Sequence, residues 1–167
     1  MSGGEPTIFP DLPDFCFRIK ELGFALKLDT NGSNPDMLAL LLNGGLVDYI
    51  AMDIKAAPHA YASGLVPGFA GGSRELEKRL LESIKLLAAS KIPCEFRTTC
   101  AAPFISLHSM EEIARCLAEL APGIPLWLQK VNWENAMQPD YPGAGEEEKL
   151  EILRECALAH IGHCEIR

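Results

Sequence analysis

The sequence lacks most of the features that would announce a function at once. No Lys/Arg-rich run relieves its acidity: 23 Asp and Glu against 15 Lys and Arg leave a formal net charge of −8 and a pI of about 5.0. Proteins that grip phosphate backbones concentrate basic residues on one face, so no nucleic-acid partner is expected. No apolar run approaches the roughly 20 residues needed to cross a bilayer. The opening MSGGEPTIFP holds neither a basic n-region nor an apolar h-region. No membrane association and no secretion are therefore expected, and the chain reads as cytoplasmic. Cysteine is present but never clustered. Cys16, Cys94, Cys100, Cys116, Cys156 and Cys164 form no CxxC and no CxxxCxxC, so their spacings suit neither zinc nor an iron–sulfur cluster. They read as reduced thiols, most of them packed in the core.

What is present is a hydrophobic content of 48% in 167 residues, enough to build one core and one domain over 1–167. Strand-like and helix-like segments alternate. Residues 24–29, 47–55, 94–100, 125–131 and 164–167 read as strands bounded by Gly, Pro or Asn. Between them, residues 11–22 place Phe15, Ile19 and Leu22 on one helical face, with Gly23 as a stop. Asn34-Pro35 is an N-cap followed by proline at the first helical position, and Gly44 ends that helix. Residues 74–89 carry Leu76, Leu80, Ile84 and Leu87 at helical spacing. Ser109 with Glu112 has the spacing of a capping box ahead of Ile113, Cys116, Leu117 and Leu120. Residues 146–161 form the last helix, stopped by Gly162. Two longer loops, 56–73 and 132–145, are rich in Gly and Pro, as functional loops and mobile ones both are. Strand–helix alternation with short joints implies α/β architecture with parallel strands, as a barrel or an open doubly wound sheet.

Strand alternation sorts the polar residues. Lys27 and Asp29 share a face opposite Phe24, Leu26 and Leu28. Asp53 and Lys55 share one opposite Ile50, Met52 and Ile54. Glu95, Arg97 and Thr99 share one opposite Cys94, Phe96, Thr98 and Cys100. The apolar rows suit helices packed outside. The polar rows gather at the C-terminal strand ends, where parallel α/β folds bind ligands, although strand ends can also simply be wet. Two carboxylates, an ammonium and a guanidinium at one mouth would suit a zwitterionic small molecule, or a monovalent cation between the carboxylates. The N-terminal Gly3-Gly4-Glu5-Pro6 reads either as a turn or as backbone shaped for close approach to a ligand. His59 and His108 read as ordinary loop residues, and His160, His163 and Cys164 are too few for a metal site.

Taken together, SGGEPT, LDTNGSNP, VDYIAMDIKA and EFRTT, in this order and spacing, resemble the radical S-adenosylmethionine enzymes. The likeness is greatest to the activating proteins of anaerobic ribonucleotide reductase and pyruvate formate-lyase, and it runs over essentially the whole chain. The resemblance implies a partial (β/α) barrel that lacks its first strand–helix unit. It implies S-adenosylmethionine as cofactor, a [4Fe-4S] cluster in the full-length family, and a glycyl-radical enzyme as protein partner. It places Gly3, Gly4, Glu5 and Pro6 at the methionine amino group, and Asp29, Thr30 and Asn31 beside the methionine moiety. Asp29 and Asp53 would be the carboxylates of a monovalent-cation site, and Lys55 and Arg97 the basic residues near the cofactor's carboxylate and ribose. The departure is the cluster loop. CxxxCxxC should lie N-terminal to Gly3, and only Met1 and Ser2 stand there. Without three thiolates the chain reads as part of such an activating enzyme, expected to be inactive by itself; the alternatives are a non-catalytic cofactor-binding module or a structural remnant that self-associates through an exposed sheet edge.

Overall fold

The computed structural model describes residues 4–63, 66, 73–101, 105–131 and 150–167. Five parallel strands form one sheet: β1 (Lys27–Thr30), β2 (Tyr49–Asp53), β3 (Cys94–Cys100), β4 (Leu126–Lys130) and β5 (Cys164–Ile166). Their spatial order is their chain order, each pairing with the next. That order decides between the two architectures the sequence allows. A doubly wound sheet reverses its strand order to send helices to both faces. Sequential order with right-handed crossovers keeps the helices on one face, as in a segment of a barrel. The helices are α1 (Leu12–Glu21), α2 (Pro35–Asn43), the one-turn α3 (Ala60–Ser63), α4 (Arg74–Ala89), α5 (Leu107–Leu120) and α6 (Leu150–Leu158), preceded by a 3-10 turn at Pro6–Ile8.

The core lies between sheet and helices. Leu28, Ile50, Met52, Phe96, Leu126 and Leu128 on the strands, and Leu38, Leu41, Leu80, Ile84, Met110, Ile113 and Leu117 on the helices, are buried in one cluster. Each such side chain contributes about 1.5–3 kcal/mol by leaving water. The opposite row is largely polar, with Ala51 and Trp127 as apolar members. Alternation fixes this sidedness, as the sequence implies.

Several local expectations shift. β1 begins at Lys27, not Phe24. Phe24 is still closing helix α1: its amide donates to Ile19 O and that of Gly23 to Lys20 O, with Gly23 at φ +82. That double bond is a Schellman closure, and it leaves Phe24 62% exposed. On α1 the buried row is Leu12, Cys16 and, in part, Ile19, while Phe15, Phe17 and Leu22 face outward. Apolar residues run almost round this helix, so periodicity alone does not select the packed stripe. Helix α5 starts one turn earlier than Ser109 suggests. Ser106 is its N-cap, and the Oγ of Ser109, at N3, accepts in return from the Ser106 amide. Glu112 is thereby released to meet His59 and His108, and His108 is helical rather than in a loop. The other caps stand as read: Asn34 accepts from Met37 N, and α4 spans the expected residues from its N-cap Ser73. The last helix is seen from Leu150. Residues 146–149 and the loop 132–145 lie outside the described residues, as do parts of the loop 56–73.

Candidate functional site

Register sets the heights of the polar side chains. Asp29 pairs with Ala51, and Asp53 pairs with Arg97, so Arg97 and Asp53 are level while Asp29 lies two residues lower across β2. Arg97 spans the difference. Its Nε donates to Asp53 Oδ1 at 2.8 Å and its NH1 to Asp29 Oδ1 at 2.9 Å; its NH2 also approaches Asp53 Oδ1 at 2.8 Å. The guanidinium thus stands between the two carboxylates. Burial disfavours its charge, but Asp53 and then Asp29 outweigh that and hold its pKa above the ordinary value. Among the described residues, the Oδ2 atoms of Asp29 and Asp53 accept no hydrogen bond from protein.

Glu5 is the most occupied group in the site. Its Oε1 accepts from Thr7 N at 3.1 Å, Thr7 Oγ1 at 2.5 Å and Thr30 Oγ1 at 2.8 Å; its Oε2 accepts from Asn31 N at 2.6 Å. Four donors fill the roughly four acceptor positions of a carboxylate. The side chain therefore caps the 3-10 turn and clamps the Gly4–Thr7 segment onto the end of β1. The loop beyond β1 is fixed from the other side, where the buried Ser83 of α4 donates to Gly32 O at 2.7 Å.

These groups enclose a cavity of about 320 Å³ lined by Gly4, Glu5, Asp29, Thr30, Asn31, Asp53, Lys55 and Arg97. That is the small end of ligand-site volumes. Of the ten residues singled out from sequence, eight line it. Pro6 does not; it is buried at the start of the 3-10 turn behind the lining. Gly3 lies outside the described residues. Three carboxylates against one ammonium and one guanidinium give the lining a formal charge of −1 (3 negative, 2 positive). Lys55 Nζ makes no ion pair or hydrogen bond among the described residues. Its backbone amide donates to the hydroxyl of Tyr61, at 2.8 Å.

Below this mouth, on the same sheet face, lies a second polar group that the sequence did not mark as a unit. Glu95, with 3% side-chain exposure, accepts from Tyr49 Oη at 2.8 Å, Lys27 Nζ at 3.2 Å and Arg167 NH1 at 3.3 Å. Arg167 also stacks 4.3 Å above the Trp127 ring. Burial works to raise the Glu95 pKa, but its hydrogen bonds with Tyr49, Arg167 and Lys27 bring it below the ordinary value. Burial first, then Glu95 itself, push Tyr49 up to about 12. This network continues the polar face of the sheet toward the N-terminal strand ends, outside the cavity lining.

The cysteines do not converge. They are distributed over α1, β3, α5, α6 and β5, and no group of three or more metal-capable side chains forms among the described residues. Burial raises the thiol pKa of Cys16, Cys94, Cys116, Cys156 and Cys164. A [4Fe-4S] cluster requires converging thiolates, so the cysteines here do not fit one.

Comparison with known proteins follows the same lines. Residues 1–120 match the family model of the radical SAM superfamily. A Methanocaldococcus jannaschii protein that carries the name glycyl-radical enzyme activating enzyme MJ1227 is 31% identical over 120 residues, 71% of this chain and 49% of that protein. A second from that organism, named glycyl-radical enzyme activating enzyme MJ1632, is 28% identical over 173 aligned positions, covering 98% of this chain and 60% of the relative. The chain thus spans about half the length of the curated relatives it matches. The crystal structure of a domain of pyruvate-formate lyase-activating enzyme from Bacteroides vulgatus superposes with a TM-score of 0.73 at 17% identity, covering 100% of this chain and 96% of that one. Its likeness is one of fold: the same α/β arrangement around a parallel sheet. The strand order, the site at the strand ends and the family match agree, and the chain belongs to the radical SAM superfamily.

Proposed function

We propose that this chain is the S-adenosylmethionine-binding part of an activating enzyme for a glycyl-radical enzyme, and that it binds the cofactor without cleaving it unaided. The observation that carries the reading is the charge pattern of the mouth. S-adenosylmethionine has an ammonium, a sulfonium and a carboxylate, a net charge of +1, and the lining is −1 (3 negative, 2 positive). The open Oδ2 atoms of Asp29 and Asp53 suit its N–H and O–H donors. The ammonium of Lys55, unpaired among the described residues, suits its carboxylate.

In this reading Glu5 acts through its clamp. It fixes Gly4 against Thr30 and Asn31, so the Gly4 backbone faces the amino group at a set distance. Arg97 stands between the two aspartates and holds them apart. Asp29 and Asp53 are the carboxylates we assign to a monovalent cation beside the bound cofactor, through the oxygens Arg97 leaves open. When bound at a reduced cluster, the cofactor supplies radical chemistry. No cleavage is assigned to this chain because its thiols do not converge. The partner class, a glycyl-radical enzyme, is supported by the names of the relatives. The cytoplasm is the proposed setting; no helix among the described residues is long and apolar enough to cross a membrane.

Calorimetric titration of the purified chain with S-adenosylmethionine tests the reading. Saturable heat is expected, with weaker binding in Asp53→Ala and Lys55→Ala and no 5′-deoxyadenosine on adding a strong reductant. No heat at millimolar cofactor, or affinity unchanged in both variants, overturns the binding site. Formation of 5′-deoxyadenosine overturns the assignment as non-cleaving.

A further inference from the structure

Lys55 lies where the sheet has ceased to hold the backbone. β2 ends at Asp53, and β1 pairs with it only as far as Met52. The Ile54 amide still reaches β3, donating to Arg97 O at 2.7 Å. The Lys55 amide has no strand partner. It donates to the phenolic oxygen of Tyr61, six residues further on. Tyr61 stands on the one-turn helix α3, and its side chain is wholly buried.

We propose that Tyr61 is a positioning residue for Lys55: its hydroxyl fixes the backbone from which the Lys55 ammonium reaches the carboxylate of the bound cofactor. The inference rests on the cofactor reading above and goes beyond it by giving a residue outside the cavity lining a role in recognition. The geometry supplies the reason. Ile54 is anchored twice, by a buried side chain and by its amide on β3. Lys55 follows with a long, flexible side chain whose head is unpaired among the described residues. A single fixed point at its amide determines where that side chain starts. A phenol is suited to this place: burial, above all, pushes its pKa up to about 12, against the pull of the Lys55 and Ala56 amides. It therefore stays uncharged and keeps its oxygen available to the amide across the physiological range. Nothing else at the end of β2 among the described residues takes that amide.

Tyr61→Phe removes the oxygen and keeps the ring. Two ligands are titrated calorimetrically into the full chain: S-adenosylmethionine, and its decarboxylated analogue, which lacks the group Lys55 receives. The expected result is an affinity for S-adenosylmethionine weakened about three- to tenfold, the worth of one hydrogen bond, with the analogue unchanged. Lys55→Ala should bind S-adenosylmethionine as weakly with Tyr61→Phe added as without it, since both changes remove one interaction. Equal weakening toward both ligands, additive losses in the double variant, or wild-type affinity in Tyr61→Phe each overturn the inference and leave the cavity reading standing. Wild-type protein that binds neither ligand overturns the cavity reading and this inference with it. Amide exchange on the wild type gives a second decision, needed should Tyr61→Phe fold poorly: bound S-adenosylmethionine should slow exchange at Lys55, and an unchanged rate overturns the inference.

Discussion

Replacing Glu5 by Gln tests the tightest polar knot of the site with the least change of shape. The carboxylate accepts three hydrogen bonds at Oε1 and one at Oε2, and two of the four donors are backbone amides, Thr7 N and Asn31 N. An amide side chain has one oxygen and one NH₂, so it cannot accept on both sides. With its oxygen toward Thr7, the NH₂ faces the Asn31 amide. Flipped, it faces the Thr7 amide, while the two threonine hydroxyls turn and accept. Either way one backbone N–H loses its partner, and no rotamer repairs it. Such an orphan costs about 1–3 kcal/mol. The second orientation is the worse one, because Thr7 is wholly buried and Asn31 only half so. The expected loss is therefore about 2 kcal/mol, near the middle of that range once the weaker, no longer charge-assisted bonds to the hydroxyls are included. In a domain of this size that corresponds to a fall in Tm of roughly 4–8 °C. Urea unfolding followed by circular dichroism measures it directly. A Glu5→Gln protein within about 0.5 kcal/mol of wild type would show that Glu5 is not the clamp described.

Three further expectations concern stability and reactivity. Glu95→Gln leaves Tyr49, Lys27 and Arg167 all without a charged acceptor at a side chain with 3% exposure and should cost about 1–3 kcal/mol, read by urea titration at pH 7. Because the folded pKa of Glu95 lies below its ordinary 4.5, its contribution is present above that pH and disappears as pH falls through the folded value; the variant should show a shallower acid limb, and an identical limb would refute the sign. Cys164, pushed up to about 11 chiefly by burial, should resist iodoacetamide at pH 8 in the folded protein and react in urea. Its raised pKa should also lower stability as pH rises from about 9, because the unfolded chain releases the proton first. Ser106→Ala should cost about 0.5–2 kcal/mol as loss of an N-cap, whereas Ser109→Ala removes the acceptor of the Ser106 amide and a donor to Ser106 O but leaves the N-cap oxygen on the Ser109 amide; a larger effect at Ser109 in thermal melts would reverse that assignment.

Much of the site was legible because strand alternation is a strong rule when helices cover one face only. Asp29, Asp53, Lys55 and Arg97 are separated by long stretches of chain, yet period two and parallel pairing place them at one mouth, and the structure brings them to one cavity. The contacts that depend on which neighbour lies across the sheet were not legible. Glu95 was placed on the polar face with Arg97, but nothing in sequence tells that Tyr49, Lys27 and the final Arg167 converge on it, since register is set by packing over the whole sheet. Tyr61 falls in a stretch rich in Gly, Pro and Ala that reads as loop. Its one helical turn is too short for periodicity, and its hydroxyl matters only because β1 ends early. The cap of α5 was ambiguous for a simple reason: Ser106 and Ser109 each precede an apolar run, and the Ser–x–x–Glu spacing favours the wrong one. On α1 the excess of apolar residues hid the packed face, where a sparser helix would have shown it.

The polar network around Glu95 has a consequence for how the protein can change. Glu95 is filled by its neighbours; Asp29 stands level with it in register across β2, and Asp53 lies two residues above. A larger ligand cannot be accommodated by digging downward, because that would strand a buried carboxylate and its cations together. New shapes must come from the rim, from side chains beyond the strand ends and the loops that carry them. The sheet behaves as a cup of fixed depth with an adjustable lip, so variants of altered ligand preference should be sought among rim substitutions, and substitutions at the base should act on stability before they act on choice of ligand.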